Sequence, residues 1–336
     1  MTMLRTVQVG LIGAGRIGSA HAEIIARRVP GADLVAVADP RPGVAEALGA
    51  SLGARGVTDI DDIFTAPDIE AVVIAASSDA HCELVIAAAR AGKAVFCEKP
   101  MSMTVADAER AIAAAHDAGV PLQVGFNRRF AADFVAAHDA VVAGSVGTPQ
   151  LMQSVTRDPG LANPAGVPPW TVFTQTLIHD FDALLWLNPG AQPVEVYATA
   201  DALVAPEFKQ SGLLDTAVVV ITFDNGARAV AEASFSATYG YDVRAEVFGS
   251  GGMVTAGTTA RTAMTLHDAN GRHVETARGD VGRFIDAYTG EFVEFTDAVR
   301  EGRTPSVTGE DARRALSIAL ACIESAKVNA PVRVTP

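Results

Sequence analysis

Gly13-Ala14-Gly15-Arg16-Ile17-Gly18 follows the short, β-rich apolar run Thr6 to Ile12 and opens a helical stretch, Arg16 to Val29. A glycine-rich turn between a strand and a helix is the setting in which this spacing signals dinucleotide binding. Gly13 permits the tight turn, Gly15 lets a pyrophosphate approach the backbone, and Gly18 lets the helix pack close to the strand. With Arg16 and Ile17 they make a candidate cofactor loop, because a helix N-terminus favours phosphate. The next apolar run, Asp33 to Ala38, ends at Asp39, 21 residues after Gly18. A carboxylate there accepts hydrogen bonds from an adenosine ribose diol and repels a 2′-phosphate, which points to NAD. Arg41, two residues on, tolerates a phosphate and weakens the preference over NADP.

The pattern extends outward from this loop. Ala71 to Ala75, Ala94 to Cys97 and Leu122 to Phe126 are further short apolar runs, separated by helical stretches such as Ala80 to Ala91 and Val105 to Ala118. Thr104 reads as an N-cap and Gly119 as the residue after the C-cap. Strands alternating with helices predict a Rossmann-type, doubly wound parallel sheet, an α/β domain over 1–126.

After Phe126 the pattern changes. Helices are expected over Ala131 to Ala143 and Phe173 to Leu187, and strands over Gln150 to Thr156, Val194 to Thr199, Thr216 to Phe223, Ala227 to Phe235 and Val243 to Phe248. Asp224-Asn225-Gly226 reads as a tight hairpin turn. Closing helices over Gly282 to Arg300 and Glu310 to Val328 complete an α+β domain, 127–336, with a large, mostly antiparallel open sheet. Apolar runs such as Ala217 to Ile221 and Val230 to Phe235 exceed what a solvent-facing sheet tolerates, so a homo-oligomer is expected.

Composition narrows the classes. The chain has 336 residues, 49% hydrophobic and 19% charged, as for a folded protein of two domains. A net charge of -13 makes nucleic-acid binding a poor fit. The three scattered cysteines, Cys82, Cys97 and Cys322, have no metal-ligand spacing and look reduced, as in a cytoplasmic protein. Met1 to Thr6 runs directly into a strand, so no signal peptide is expected, and no apolar stretch reaches membrane-span length.

Two positions carry candidate acid/base chemistry. Lys99, in Glu98-Lys99-Pro100, ends the strand Ala94 to Cys97, and ligands in such sheets sit at the carboxyl ends of the strands. An ammonium there can hydrogen-bond a substrate hydroxyl; by position alone it reads equally as a surface charge. His179 lies on the expected Phe173–Leu187 helix, with Gln175 four residues earlier on the same face. It reads either as a proton acceptor or as a satisfied core histidine. No paired-His or Cys/His spacing suggests a metal.

Taken in order, these segments resemble the glucose–fructose oxidoreductase / inositol dehydrogenase (Gfo/Idh/MocA) family over nearly the whole chain. The resemblance runs from the Gly13–Gly18 loop through Cys97-Glu98-Lys99-Pro100, Gly125-Phe126-Asn127-Arg128-Arg129-Phe130 and Thr156-Arg157-Asp158-Pro159. It continues through Ile178-His179-Asp180-Phe181-Asp182 to Asp286-Ala287-Tyr288 and Thr308-Gly309-Glu310-Asp311. The stretches around Arg129 and Asp158 are most similar to the inositol dehydrogenase branch. The resemblance implies an open-sheet domain that mediates dimers and tetramers. It implies that Glu98 and Lys99 belong to the cofactor site, that Lys99 contacts the reacting hydroxyl, and that His179 is the proton acceptor. It also implies that Arg129, Asp158, Tyr241 and Tyr288 line the substrate site. One position departs: Gln175 stands where the family has aspartate, and an amide cannot stabilise an imidazolium by charge but can still donate and accept hydrogen bonds. The implied activity is NAD-dependent oxidation of a ring hydroxyl of a cyclic polyol to the ketone, with hydride transfer to nicotinamide. The alternatives are an aldose or keto-sugar oxidoreductase and a non-catalytic NAD- or sugar-binding regulator.

Overall fold

The apolar runs around the glycine loop become strands covered on both faces, which is why they read as near-continuous hydrophobic segments. The structure is a computed structural model that describes residues 5–161 and 163–335. Its first sheet contains β1 (Val7–Ile12), β2 (Ala32–Ala38), β3 (Arg55–Val57), β4 (Ala71–Ile74), β5 (Ala94–Glu98) and β6 (Leu122–Gly125), in the order β3-β2-β1-β4-β5-β6. Every pair is parallel. The connections are α1 (Arg16–Arg28), α2 (Val44–Leu52), α3 (Asp61–Thr65), α4 (His81–Arg90) and α5 (Val105–Ala118). The strand order reverses direction beside β1, the switch point where a doubly wound sheet leaves a ligand crevice. Thr104 caps α5 by accepting the Asp107 amide, and Gly119 ends it at φ 65°. The three-residue β3 and the short α2 and α3 were not distinguished in the sequence, being too brief for a period to register.

The second sheet is built from β7 (Pro149–Arg157), β8 (Pro193–Asp201), β9 (Thr216–Phe223), β10 (Arg228–Ser234), β11 (Asp242–Gly249), β12 (Met253–Ala256) and the terminal β15 (Val332–Arg333). Its order is β12-β11-β7-β10-β9-β8-β15, and only β7 and β10 pair in parallel. Asp224-Asn225-Gly226 turns β9 into β10 with Gly226 at φ 89°. A separate hairpin joins β13 (Ala260–Asp268) and β14 (Gly271–Thr276). The remaining helices are α6 (Ala132–Val142), α7 (Ile178–Trp186), α8 (Asp280–Glu301) and α9 (Gly309–Val328). Along β9, alternate residues are buried, and those between them, Val218 and Val220, are exposed. That alternation is expected of a sheet with one covered face.

The chain forms two compact units, Met1–Phe130 with Ile285–Arg313, and Ala131–Phe284 with Arg314–Pro336. The 126/127 boundary read from the sequence marks the change of pattern, whereas the units are discontinuous in sequence. α8 changes unit after Phe284, whose φ of -118° and ψ of 21° lie outside the helical region. No helix among the described residues is long and apolar enough to cross a membrane.

Candidate active site

In the first unit the glycine loop is fixed from both ends. The Gly13 amide bonds the Ala38 carbonyl at 2.8 Å, and Gly13 itself sits at φ 97°, closed to most side chains. A Cβ on Gly18 would run into the Gly13 carbonyl, so helix and turn touch backbone to backbone. Gly15 is the opposite case: a Cβ there meets no atom within 4 Å. The first bond inside α1 runs from the Ser19 amide to the Gly15 carbonyl at 2.8 Å, which leaves the amides of residues 16–18 at the helix mouth. Open space before Gly15 and a positive helix end together fit a pyrophosphate.

Asp39 completes that half-site. Its carboxylate accepts the Ala14 amide at 2.8 Å, the Arg41 amide at 3.0 Å, and Arg41 Nε and Nη2 at 2.8 Å each. The Arg41 guanidinium beside it outweighs burial and, with the two amides, holds the carboxyl down to about 2. Asp39 is therefore an anion at the end of β2, tied directly to the loop. Its four acceptor directions are all in use. The Arg41 side chain itself is 61% exposed, on the solvent side of this carboxylate.

Lys99 lies half-buried just past β5. Glu98 before it is buried, accepting His21 Nε2–H at 2.6 Å and the Lys99 amide at 3.1 Å. Burial opposes ionisation of Glu98, but the His21 hydrogen bond and charge, with Lys99 and His81, hold its pKa lower than usual. The His21 ring meets the edge of Tyr288 at 5.4 Å, so Lys99 and Tyr288 rest on one buried pair. His81 bridges the ends of β4 and β5: Nδ1 lies 2.8 Å from the Pro100 carbonyl and Nε2 3.1 Å from the Ala76 carbonyl. Burial pulls its pKa below the imidazole value. Arg129 is nearly buried and pairs with Asp311 at 3.0 Å, while Asp311 caps α9 through Thr308.

The second unit holds the other candidates. The continuous helix expected over Phe173–Leu187 is interrupted. Val172–Thr176 is a π-turn, closed by the Leu177 amide on the Val172 carbonyl at 2.9 Å, and α7 begins only at Ile178. Gln175 therefore belongs to the wider turn, and the α spacing to His179 assumed from sequence does not apply across it. Upstream, Trp170 adopts φ 62°, a strained value for a bulky residue. Strain and a π-turn immediately before a histidine are marks of a functional segment. His179 and Gln175 are both half-buried. The next residue, Asp180, is anchored to β7 by Ser154 Oγ at 2.5 Å and Thr156 Oγ1 at 2.7 Å, which fixes α7 on the sheet. Asp158 sits half-buried past the end of β7, its backbone bonded to Ser234 and Ala237. Tyr241 is buried and edge-on to Phe284 at 6.2 Å.

The first unit thus holds the loop, Asp39, Arg41, Glu98, Lys99, Arg129 and Tyr288, and the second holds Asp158, Gln175, His179 and Tyr241. Sequence reading passed over His21, His81, Gln123 and Glu291. Single polar residues inside helical or strand patterns carry no local signal of what they will meet.

Two family models match the chain. Residues 7–126 match a family model described as an oxidoreductase family with NAD-binding Rossmann fold. Residues 162–334 match its C-terminal alpha/beta domain. Over 98% of both chains, the protein is 36% identical to the myo-inositol 2-dehydrogenase of Thermotoga maritima. It is 35% identical to the scyllo-inositol 2-dehydrogenase (NAD(+)) of Bacillus subtilis, covering 99% of this chain and 97% of that one. Among solved structures, scyllo-inositol dehydrogenase from Lactobacillus casei with bound NAD(H) and scyllo-inositol superimposes with a TM-score of 0.93. Its identity is 28%, covering 98% of this chain and 99% of that one.

Proposed function

The chain belongs to the Gfo/Idh/MocA oxidoreductase family, and from that premise we propose that it oxidises one ring hydroxyl of an inositol-type polyol to the ketone, using NAD. The observation that carries the reading is the built cofactor half-site: open space at Gly15, the mouth of α1, and an ionised Asp39 locked to the loop. Bound NAD supplies the hydride acceptor; the chain supplies binding, orientation and proton traffic. Lys99 holds the reacting hydroxyl, and His179 accepts its proton. Gln175 hydrogen-bonds the substrate as a neutral partner, while Arg129, Asp158, Tyr241 and Tyr288 contribute to polyol recognition.

The test is NADH formation with myo-inositol, scyllo-inositol, aldoses and buffer alone, repeated with NADP. Turnover of an inositol with NAD above the sugar and NADP rates is expected. No NADH from any inositol would refute the reading.

The second sheet supports a homo-oligomer. On its open face Tyr197 pairs across to Val220, Val220 to Val230, and Leu151 and Met253 both to Phe248. Rows of exposed apolar residues on an uncovered sheet face mark an interface. Light scattering at micromolar concentration checks this, and a monomer would contradict it.

A further inference from the structure

Beneath Lys99 the first unit contains buried polar groups that the proposed reaction does not use. His21 comes from α1, Glu98 from β5, Gln123 from β6 and Glu291 from α8. Glu98 is satisfied, holding His21 and the Lys99 amide. Glu291 differs. It is 0% exposed, and neither carboxyl oxygen hydrogen-bonds any described residue. Its backbone carbonyl accepts Gln123 Nε2–H at 2.9 Å, which pins this turn of α8 to β6. Tyr288 and Phe292, on the same stretch of α8, pack against the His21 ring at 5.4 and 5.0 Å.

A fully buried carboxylate without donors is too costly to keep, and such a group retains its proton instead. The surrounding charges reinforce this. β5 brings the Glu98 carboxylate and, one residue on, Lys99. α1 brings His21, already committed to Glu98. α4 brings His81, whose burial favours its neutral form. β6 brings the neutral amide of Gln123, and α8 itself the Tyr288 phenol. Burial first, then the charge of Glu98, push the Glu291 carboxyl well above the ordinary range. Two buried carboxyls that act on each other separate into one anion and one acid.

We propose that Glu291 is a positioning residue that stays protonated through neutral pH, so that Glu98 remains the single carboxylate of this buried cluster and stays committed to His21 and the Lys99 backbone. Ionising Glu291 would place a second anion beside Glu98 and loosen the support of Lys99. The catalytic consequence rests on Lys99 acting on the hydroxyl; the protonation state does not.

The test compares the protein with Glu291→Gln, which keeps the shape and removes the proton equilibrium. Below the ordinary carboxyl value of 4.5 folded and unfolded chains both carry the proton. Above it the unfolded chain releases the proton and the folded chain retains it, so the native protein loses stability as pH rises toward the folded value. Above about pH 5, the folding constant of Glu291→Gln relative to the native protein should grow about tenfold per pH unit until the pH reaches the folded-state value. Parallel stability curves would overturn the proposal. If Glu291→Gln does not fold, Glu291→Met is measured in the same way. Difference infrared spectra at neutral pH should show a protonated carboxyl band lost in the variant; an unchanged band region refutes the assignment. For positioning, the pH profile of kcat/KM should lose an alkaline limb in Glu291→Gln, and identical profiles would refute that role. Absence of turnover by both proteins on every polyol would sink the proposed function instead, and the stability and infrared readouts would still decide the state of Glu291.

Discussion

Replacing Gly15 with alanine separates cofactor binding from folding. Gly15 has φ -77° and ψ -168°, extended backbone that any residue adopts, and its added Cβ meets nothing within 4 Å. Reduced freedom of the unfolded chain stabilises such a Gly→Ala change by about 0.4–1 kcal/mol. Gly15 is also the N-cap of α1, where alanine is worse than glycine by roughly 0.5–1 kcal/mol. The two terms offset, so stability should stay within about 0.5 kcal/mol and the melting temperature within about 2 °C. The methyl group, however, projects where the pyrophosphate approaches the backbone. Overpacking of that kind costs about 1–3 kcal/mol, which raises the NAD dissociation constant by roughly 5- to 150-fold. Thermal melts with and without NAD, beside an NADH fluorescence titration, measure both quantities. Unchanged NAD affinity would show that the phosphate does not pass Gly15, and a large loss of stability would show that the open space is not real.

Lys99→Met should reduce turnover by at least about a hundredfold, within the range for lost acid/base catalysis, while NADH affinity changes little; near-native turnover would remove Lys99 from the chemistry. Arg41→Ala should sharpen preference for NAD over NADP, because Asp39 loses its internal competitor and a 2′-phosphate loses its cation; the ratio of kcat/KM values reports this, and a shift toward NADP would contradict it. Gln175→Asp should reorder relative kcat/KM among inositol stereoisomers, since a carboxylate only accepts where the amide also donates; an unaltered ranking would place Gln175 outside the substrate pocket. Val220→Glu puts a charge in the apolar rows of the open sheet, and light scattering should then show a smaller species.

Much of this molecule was determined locally. The strand, glycine turn and helix of residues 6–29 are read from apolar period and φ-permissive glycines, and Thr104, Gly119 and Asp224-Asn225-Gly226 act through their own backbone. Asp39 and Lys99 were legible because a parallel sheet aligns its strand ends, so a residue just past a strand is at the ligand edge. Other features were decided by tertiary contacts. The π-turn at Val172–Thr176 differs from an α-helix by one hydrogen-bond step, which no residue spacing announces. The parallel pairing of β7 with β10 joins segments far apart in sequence. The opposite pKa shifts of Glu98 and Glu291 follow from which charges and donors burial brings beside each, and nothing in the residue type distinguishes two glutamates until the fold has chosen their neighbours.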